Sequence, residues 1–381
     1  MVLGQAMARR GRQTVIRFPW TTATAPGFLL EITQGCNVVC RGCYKVPSNG
    51  TKPLHEIEND LETGLRLRRA QTVSLAGAEP TLHPQLPEIV AAVRRRGLRT
   101  ALLTNGLLLT HELLASLKKA GLDVVMVHVD EGQQRPDLSP SPTLEEVNNL
   151  RLAITRRVAA HGIDAGLCTT IYEDTLVNVP SLIRLILESE HIGFLFASHY
   201  VDVPAVATRK PGNHGPKTGN ADVVKLLQQA FDIEPFAEAD PAHPLHWISY
   251  FVPVVHDAKG QSPRWIRLRS GALDSFLLSL PRWLSGKNLF YTRQSTAVTV
   301  GHVVLNRLGS GDWGTAASVL CAPARGSRIG VKRMIFDEGL KLTADGRLDC
   351  LDFCPNSTVR NGRLVPVCLS NYAEAMNFGS R

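Results

Sequence analysis

Residues 31–45 read EITQGCNVVCRGCYK, and this segment decides more about the chain than any other. It places Cys36, Cys40 and Cys43 in a Cys-x3-Cys-x2-Cys triplet directly after a short apolar run. Three thiolates at this spacing suit a 4Fe–4S cluster, and such clusters normally take four cysteines. A loop that supplies three leaves one iron open to a small ligand. The alternative, a structural zinc knuckle, would need a fourth ligand and usually pairs two Cys-x2-Cys hooks.

The composition of the 381 residues is that of a large globular chain, with 44% hydrophobic and 20% charged residues. No stretch approaches the ~18 consecutive apolar residues of a membrane span, and the first residues lack the apolar core of a signal peptide. We therefore expect a cytoplasmic location and no transmembrane segment. In that compartment, eight cysteines favour metal sites over disulfides.

The net charge of +8 permits attraction to phosphates or nucleic acid. Aromatic residues make up only 6% of the chain, so it lacks the interleaved aromatic and basic platform of single-strand binders, and nucleic acid is not the expected partner. Three consecutive arginines, Arg94 to Arg96, indicate a solvated helix face. A second group of arginines is a candidate site for an anionic substrate: Arg264, Arg267, Arg269, Arg282 and Arg293.

Short β-branched or apolar runs alternate with helical patterns from residue 28 to about 200, which is typical of consecutive βα units on a parallel sheet. The predicted strands are 28–33, 72–76, 99–104, 124–130, 165–171 and 194–200. The predicted helices between them are 56–69, 85–96, 113–120, 144–161 and 179–189. This rhythm predicts an α/β fold, an open (β/α)6 partial barrel, whose active site lies at the carboxyl ends of the strands.

Further along the chain the sequence predicts helices over 221–231 and 273–284, the second one broken at Pro281. The apolar residues around Phe276 suit either a long apolar ligand or ordinary packing on the barrel. We divide the chain into an N-terminal segment (1–25), the barrel (26–200), a substrate-shaping extension (201–315) and a cysteine-rich C-terminal metal region (316–381).

Polar motifs end several of the predicted strands. Strand 72–76 runs into Gly77, Ala78, Glu79 and Pro80, and strand 99–104 ends at Thr104, Asn105 and Gly106. Taken alone, both strings are ordinary turns. Asp130 and Thr170 end the next two strands, where loop capping is an equally good explanation. Histidines at strand ends could carry protons or serve as hydrogen-bonded structural residues: His83, His128 and His199. Cys168 lies within an apolar strand and is expected to be a buried, inert thiol.

The C-terminal segment carries a second group of cysteines. Cys350 and Cys354 are separated by three residues, and Cys368 follows a predicted hairpin with an Asn361-Gly362 type I′ turn. A similar turn, 345–346, precedes Cys350, and Cys321 could complete a four-thiolate set. These cysteines predict a metal site, either an auxiliary 4Fe–4S cluster or zinc, since both accept four thiolates.

The cysteine triplet, the GAEP strand end and the TNG strand end together resemble the radical SAM enzymes over about residues 20 to 200. The resemblance implies that Cys36, Cys40 and Cys43 hold a 4Fe–4S cluster whose open iron takes S-adenosylmethionine (SAM). One electron then cleaves SAM to a 5′-deoxyadenosyl radical. The residues it implies for SAM binding are Tyr44 against the adenine, Gly77, Ala78 and Glu79 at the amino group, Thr104 and Asn105 near the ribose or carboxylate, and Asp130 and Thr170 as further polar contacts.

The tail CPNSTVRNGRLVPVCLSNY looks like that of class D radical SAM methyltransferases, which methylate pterins, and of tetraether lipid synthase. That resemblance implies hydrogen abstraction from an unactivated carbon for C-methylation or carbon–carbon bond formation on a small molecule or lipid. A flavodoxin or ferredoxin would supply the electron, and a second cluster would sit on Cys321, Cys350, Cys354 and Cys368. The alternatives are a SPASM-like enzyme that modifies peptides and a non-catalytic metal-binding protein.

Overall fold

The computed structural model describes residues 15–45, 48–207, 217–239, 245–257, 262–268, 271–286, 296–342, 348–349 and 353–372. Its helices are α1 (Leu54–Leu67), α2 (Leu86–Arg95), α3 (His111–Ala120), α4 (Leu144–Ala160), α5 (Val179–Glu188), α6 (Val203–Ala207), α7 (Asn220–Phe231), α8 (Ala272–Ser285), α9 (Thr296–Gly309) and α10 (Trp313–Cys321).

The strands of the same residues are β1 (Ile16–Arg17), β2 (Gly27–Thr33), β3 (Val39–Cys40), β4 (Thr72–Gly77), β5 (Arg99–Thr104), β6 (Val124–His128), β7 (Gln133–Gln134), β8 (Asp164–Ile171), β9 (Ile192–His199), β10 (Ala237–Glu238), β11 (Trp247–His256), β12 (Arg264–Trp265), β13 (Arg328–Asp337), β14 (Lys341–Leu342), β15 (Leu348–Asp349), β16 (Ser357–Arg360) and β17 (Arg363–Pro366).

Six parallel strands form the centre of the fold in the order β2, β4, β5, β6, β8, β9. The α/β fold with a parallel sheet is therefore confirmed, and each predicted strand and helix of this part occurs within a few residues of its expected bounds. Strand β6 shows why these segments are strands: Val124, Val125, Met126 and Val127 are all buried, as expected for a parallel strand covered on both faces. The described sheet is open, since it ends at β1 on one side and β17 on the other.

Two long strands extend the sheet beyond β9, and the sequence did not predict them. Strand β13 lies parallel to β9, and β11 pairs antiparallel to β13 over ten residue pairs. The alternation of strands and helices between residues 28 and 200 does not predict them, because both strands lie later in the chain. As a result, strands from all four predicted segments share one sheet; the division into domains stays a prediction.

The predicted break at Pro281 is wrong, because α8 continues through Pro281 to Ser285. A proline removes one backbone donor and clashes with the preceding turn, which disfavours the helix interior without forbidding it.

The predicted C-terminal hairpin is confirmed. Strands β16 and β17 pair antiparallel, and the turn residues Asn361 and Gly362 have φ values of 48° and 74°, as a type I′ turn requires. Strand β16 then joins the edge of the barrel through the pair Thr358 and Leu29. The turn predicted at 345–346 lies outside the described residues. No helix in the part of the chain given above is long and apolar enough to cross a membrane.

Candidate cofactor site

The cysteine loop, defined as residues 36–43, follows the carboxyl end of β2. Its strand β3 pairs antiparallel with β7, which lies in the loop after β6, so that Cys40 lies opposite Gln133. The backbone N–H of Arg41 donates to the carbonyl of Gly132 at 2.6 Å. The cysteine loop is thus fastened across the carboxyl ends of the barrel strands, where ligands bind in such folds.

The three cysteines of this loop lie close enough to influence one another's charge. Burial first, and then the charge of Asp130, raises the pKa of the Cys40 thiol to about 12; Cys43 and Cys36 add to the effect. Burial also raises the pKa of Cys43. A bound metal displaces such a thiol proton, because thiolate is the form that ligates.

Two amide side chains donate to sulfurs of the triplet. Asn105 Nδ2 lies 3.9 Å from Cys36 Sγ, and Gln133 Nε2 lies 3.4 Å from Cys40 Sγ. Hydrogen bonds to the sulfurs are among the features that set the potential of iron–sulfur clusters. Asn105 was predicted at this site, but Gln133 was missed; the Gln133-Gln134 pair gives no sequence signal of its own before the β3–β7 pairing is known.

Gly77 lies so close to the backbone of Thr33 that no side chain fits there, and we name this position the Gly77 cradle. Its φ is +128°, and a Cβ placed there would lie 2.4 Å from the carbonyl oxygen of Thr33. Ala78 is not among the residues with positive φ, which explains why alanine is accommodated at the second position of the motif. Beside the cradle, the hydroxyl of Thr33 is buried and has no hydrogen-bond partner among the described residues.

The side chain of Glu79 is buried and holds two strand ends together. Oε1 accepts hydrogen bonds from the backbone and hydroxyl of Thr81 at 3.0 and 2.6 Å and from the hydroxyl of Thr104 at 2.7 Å. Oε2 accepts from the backbone N–H of Asn105 at 2.8 Å. A carboxylate offers about four acceptor positions, so Glu79 is used mainly to position the ends of β4 and β5.

Asp130 caps the loop that carries β7. Oδ1 accepts from the N–H of Gly132 at 2.9 Å, while Oδ2 accepts from His128 Nε2 at 2.9 Å and from the N–H of Thr170 at 3.4 Å. Burial would raise the pKa of this carboxyl, but His128 and the Gly132 N–H outweigh it and lower the pKa. These contacts are those of the capping alternative, with Thr170 held through its backbone.

Tyr44 lies between the cysteine loop and the tail segment, defined as residues 353–372. Its ring packs in apolar clusters with Leu29, Val367 and Cys368, and burial raises the pKa of its hydroxyl. Next to it, Lys45 and Arg360 both form ion pairs with the buried carboxylate of Glu31.

The tail cysteines are spread over separate surroundings. Cys354 packs near Trp20 and Trp247, Cys368 packs near Tyr44, and Cys321 is exposed at the end of α10. Cys350 lies outside the described residues. Within the described ranges, no three histidine, cysteine, aspartate or glutamate side chains are grouped so that they could hold a metal ion. The ligand sets proposed for the triplet and for the tail therefore stay predictions.

The remaining histidines and Cys168 have structural contacts. His83 bonds the carbonyl of Lys52 at 2.9 Å, and His199 bonds Thr218 at 2.8 Å. Burial raises the pKa of the Cys168 thiol to about 12, in keeping with an inert side chain.

The arginine groups differ in setting. Arg95 and Arg96 pair with Glu58 and Glu62 on the surface. Arg264 and Arg267 line a pocket of about 400 Å³ together with Arg307. Asp232 and Glu234 pair with Arg267, and Asp312 pairs with Arg307, so most of the positive charge in this pocket is neutralised. Of the other predicted members, Arg269 and Arg293 lie outside the described residues, as does the side chain of Arg282.

The family profile of the Radical SAM superfamily matches residues 30–186. These residues, which include the triplet, the Gly77 cradle and strands β4 to β8, are a radical SAM domain. The donor types here are those that the cofactors of that domain require: three thiols in one loop, amide donors to two of them, and the Gly77 cradle beside a buried hydroxyl.

Particular relatives are similar over the same part of the chain. The Fe-coproporphyrin III synthase of Methanosarcina barkeri is 28% identical over 184 residues, which is 46% of this chain and 44% of that protein. The 7,8-dihydro-6-hydroxymethylpterin dimethyltransferase of Methanocaldococcus jannaschii is 27% identical over 215 residues, which is 54% of this chain and 40% of that protein. The chain spans less than half the length of these curated relatives. The crystal structure of Streptococcus suis SuiB bound to precursor peptide SuiA aligns with a TM-score of 0.42 at 15% identity, covering 60% of this chain and 49% of SuiB.

Proposed function

We propose that this protein is a radical SAM enzyme whose cluster is bound by Cys36, Cys40 and Cys43. The observation that carries the proposal is the position of the cysteine loop, which is fastened by β3–β7 pairing at the carboxyl ends of the barrel strands, within the segment that matches the superfamily. A 4Fe–4S cluster held there would supply the one electron that cleaves the sulfonium of SAM to methionine and a 5′-deoxyadenosyl radical, the species that would abstract hydrogen from the substrate.

The residues around the triplet would bind and orient SAM. The Gly77 cradle and the carbonyl of Ala78 would receive the amino group of SAM, and the buried hydroxyl of Thr33 offers one more polar contact there. Glu79 would keep the ends of β4 and β5 in register through Thr104 and Asn105. Tyr44 would pack against the adenine, and Asp130 would hold the loop that carries β7 next to the backbone of Thr170.

The proposed reaction is C-methylation or carbon–carbon bond formation on a small molecule or lipid. One support is the similarity to a pterin dimethyltransferase over about half of this chain. A second is the apolar cluster of Leu103, Met126, Cys168, Phe194 and Phe196, whose partly buried members Leu103, Cys168 and Phe196 would suit contact with the hydrocarbon part of a substrate. The auxiliary metal, iron–sulfur or zinc, would use Cys321, Cys350, Cys354 and Cys368, and a flavodoxin or ferredoxin would donate the electron.

The test is to incubate the anaerobically reconstituted protein with SAM and dithionite and to measure products by mass spectrometry. We expect 5′-deoxyadenosine. S-Adenosylhomocysteine in addition would identify SAM as the methyl donor, whereas deoxyadenosine alone would favour another carbon source. Neither product, from a protein that binds zinc and no iron, would overturn the proposal in favour of a binding protein.

A further inference from the structure

One buried arginine links the loops that carry the two amide donors. Arg135 follows β7, and its side chain is fully buried at 0% exposure. Its Nη1 donates to the backbone carbonyl of Asn105 at 2.8 Å and to Gln133 Oε1 at 3.2 Å. Its Nε and Nη2 donate to the two carboxylate oxygens of Asp137 at 2.8 and 3.0 Å. The guanidinium therefore has fixed partners on three sides.

The contact with Arg135 determines which way the Gln133 amide faces. A guanidinium only donates, so the group that faces it must be the amide oxygen. The amide nitrogen then points to the opposite side, where Cys40 Sγ lies at 3.4 Å and His128 Nδ1 at 3.3 Å. Gln133 Oε1 also accepts from the backbone N–H of Asp130 at 3.4 Å, which supports the same orientation.

The amide of Asn105 is oriented by its own loop. Its Oδ1 accepts from the backbone N–H of Leu107 at 3.0 Å, so Nδ2 faces Cys36 Sγ at 3.9 Å and Asn37 Oδ1 at 2.7 Å. The backbone carbonyl of Asn105 is the atom that Arg135 holds. A single side chain thus fixes the residue that donates to Cys36 and the residue that donates to Cys40.

We propose that Arg135 is a positioning residue that holds Gln133 and Asn105 as hydrogen-bond donors to Cys40 and Cys36, and that these donors raise the reduction potential of the cluster. The inference rests on the proposed function, since it needs a cluster on the triplet. Reduction adds negative charge to the cluster and its sulfurs, and an N–H donor stabilises the more negative state more strongly. Loss of a donor therefore makes the cluster harder to reduce.

The experiment is a redox titration of the reconstituted holoprotein, followed by electron paramagnetic resonance of the reduced cluster. Gln133→Leu keeps a similar volume and removes the donor to Cys40. We expect the ratio of reduced to oxidised cluster at a fixed potential to fall about tenfold, a midpoint lower by about 59 mV for a one-electron couple. The matched control is Gln228→Leu, which removes a surface glutamine bonded to Glu234 and leaves the midpoint unchanged.

Arg135→Lys tests the positioning role. Lysine keeps the positive charge but presents one compact ammonium in place of a rigid fork, so it cannot satisfy Asn105, Gln133 and Asp137 together. We expect a midpoint at least as low as that of Gln133→Leu. The double variant should fall short of the sum of the two single shifts, because Arg135 acts partly through Gln133.

Two results would overturn the inference, and they are distinguishable. A parent protein that takes up no iron and sulfide would defeat the proposed function and this inference with it. A parent with a normal cluster, beside a Gln133→Leu variant of equal iron content and unchanged midpoint, would defeat the inference alone. Gln133→Leu decides the role of the donor, and a folded Arg135→Lys variant that keeps the parent midpoint would defeat the positioning role of Arg135.

Discussion

The cysteine loop and the tail segment carry the same residue type in different physical settings. Cys36, Cys40 and Cys43 share one short loop, which β7 fastens by strand pairing and whose sulfurs receive two amide donors. Cys354 and Cys368 lie in separate apolar clusters on either side of the β16–β17 hairpin. Cysteines that are close in sequence within one loop are therefore also close in space. Whether cysteines on the two sides of a hairpin come together depends on how each side of the hairpin packs.

The largest expected effect is on SAM cleavage, which should depend on the cysteine loop and not on Cys354 in the tail segment. Cys40→Ala removes one of three ligands from the cysteine loop and should abolish 5′-deoxyadenosine formation, while the protein stays folded. Cys354→Ala should leave SAM cleavage in place, because Cys354 lies outside the cysteine loop, in the cluster around Trp20 and Trp247. Product formation under dithionite, with circular dichroism as the folding control, measures both. Continued cleavage by Cys40→Ala would refute the assignment of the triplet.

The next effect concerns the contact that joins the two regions. Glu31 is buried and pairs with Lys45 beside the cysteine loop and with Arg360 in the tail segment. Glu31→Gln leaves both cations without their counter-charge, which costs about 3 to 5 kcal/mol for a buried pair. Denaturant unfolding should show this loss. Glu62→Gln, which breaks the exposed pair with Arg96, should cost less than about 1 kcal/mol; equal losses would contradict the account.

A smaller effect is expected within the cofactor site at the glycine cradle. Gly77→Ala forces a Cβ toward the carbonyl of Thr33 at a φ of +128°, and backbone strain of this kind costs about 1 to 3 kcal/mol. We expect weaker SAM binding by calorimetry and a lower free energy of unfolding. Ala78→Gly, one residue later, should cost less than about 1 kcal/mol. The account fails here if the two variants bind SAM equally well.

The last effect is a dependence of stability on pH, which lies away from both regions and reports on the sheet alone. Lys332 on β13 is buried, and burial lowers its pKa to about 7. Between that pH and the ordinary lysine pKa, the unfolded chain binds the proton that the folded chain has lost, so stability rises with pH. The slope is at most about 1.4 kcal/mol per pH unit. Lys332→Met should remove this slope in unfolding experiments from pH 7 to 10, and the exposed control Lys119→Met should retain it.

The sequence predicted the parallel strands because their apolar runs are buried on both faces, one against local helices and the other against neighbouring strands. It also predicted the loop that bears the triplet and the turn at Asn361 and Gly362, since both depend on neighbouring residues. It did not predict β11 and β13, whose pairing with β9 joins segments far apart in the chain. Gln133 and Arg135 were not predicted for the same reason, because their role at the site depends on contacts with Cys40 and Asn105 on other loops.

The most direct test of the central claim, that the triplet holds a cluster with an open iron, is the paramagnetic resonance spectrum of the reduced protein with and without SAM. The account predicts a 4Fe–4S signal in the parent whose g values change when SAM is added, and no such change in Cys40→Ala. A cluster signal that SAM leaves unaltered in the parent, or one that is equally affected in Cys40→Ala, would contradict it.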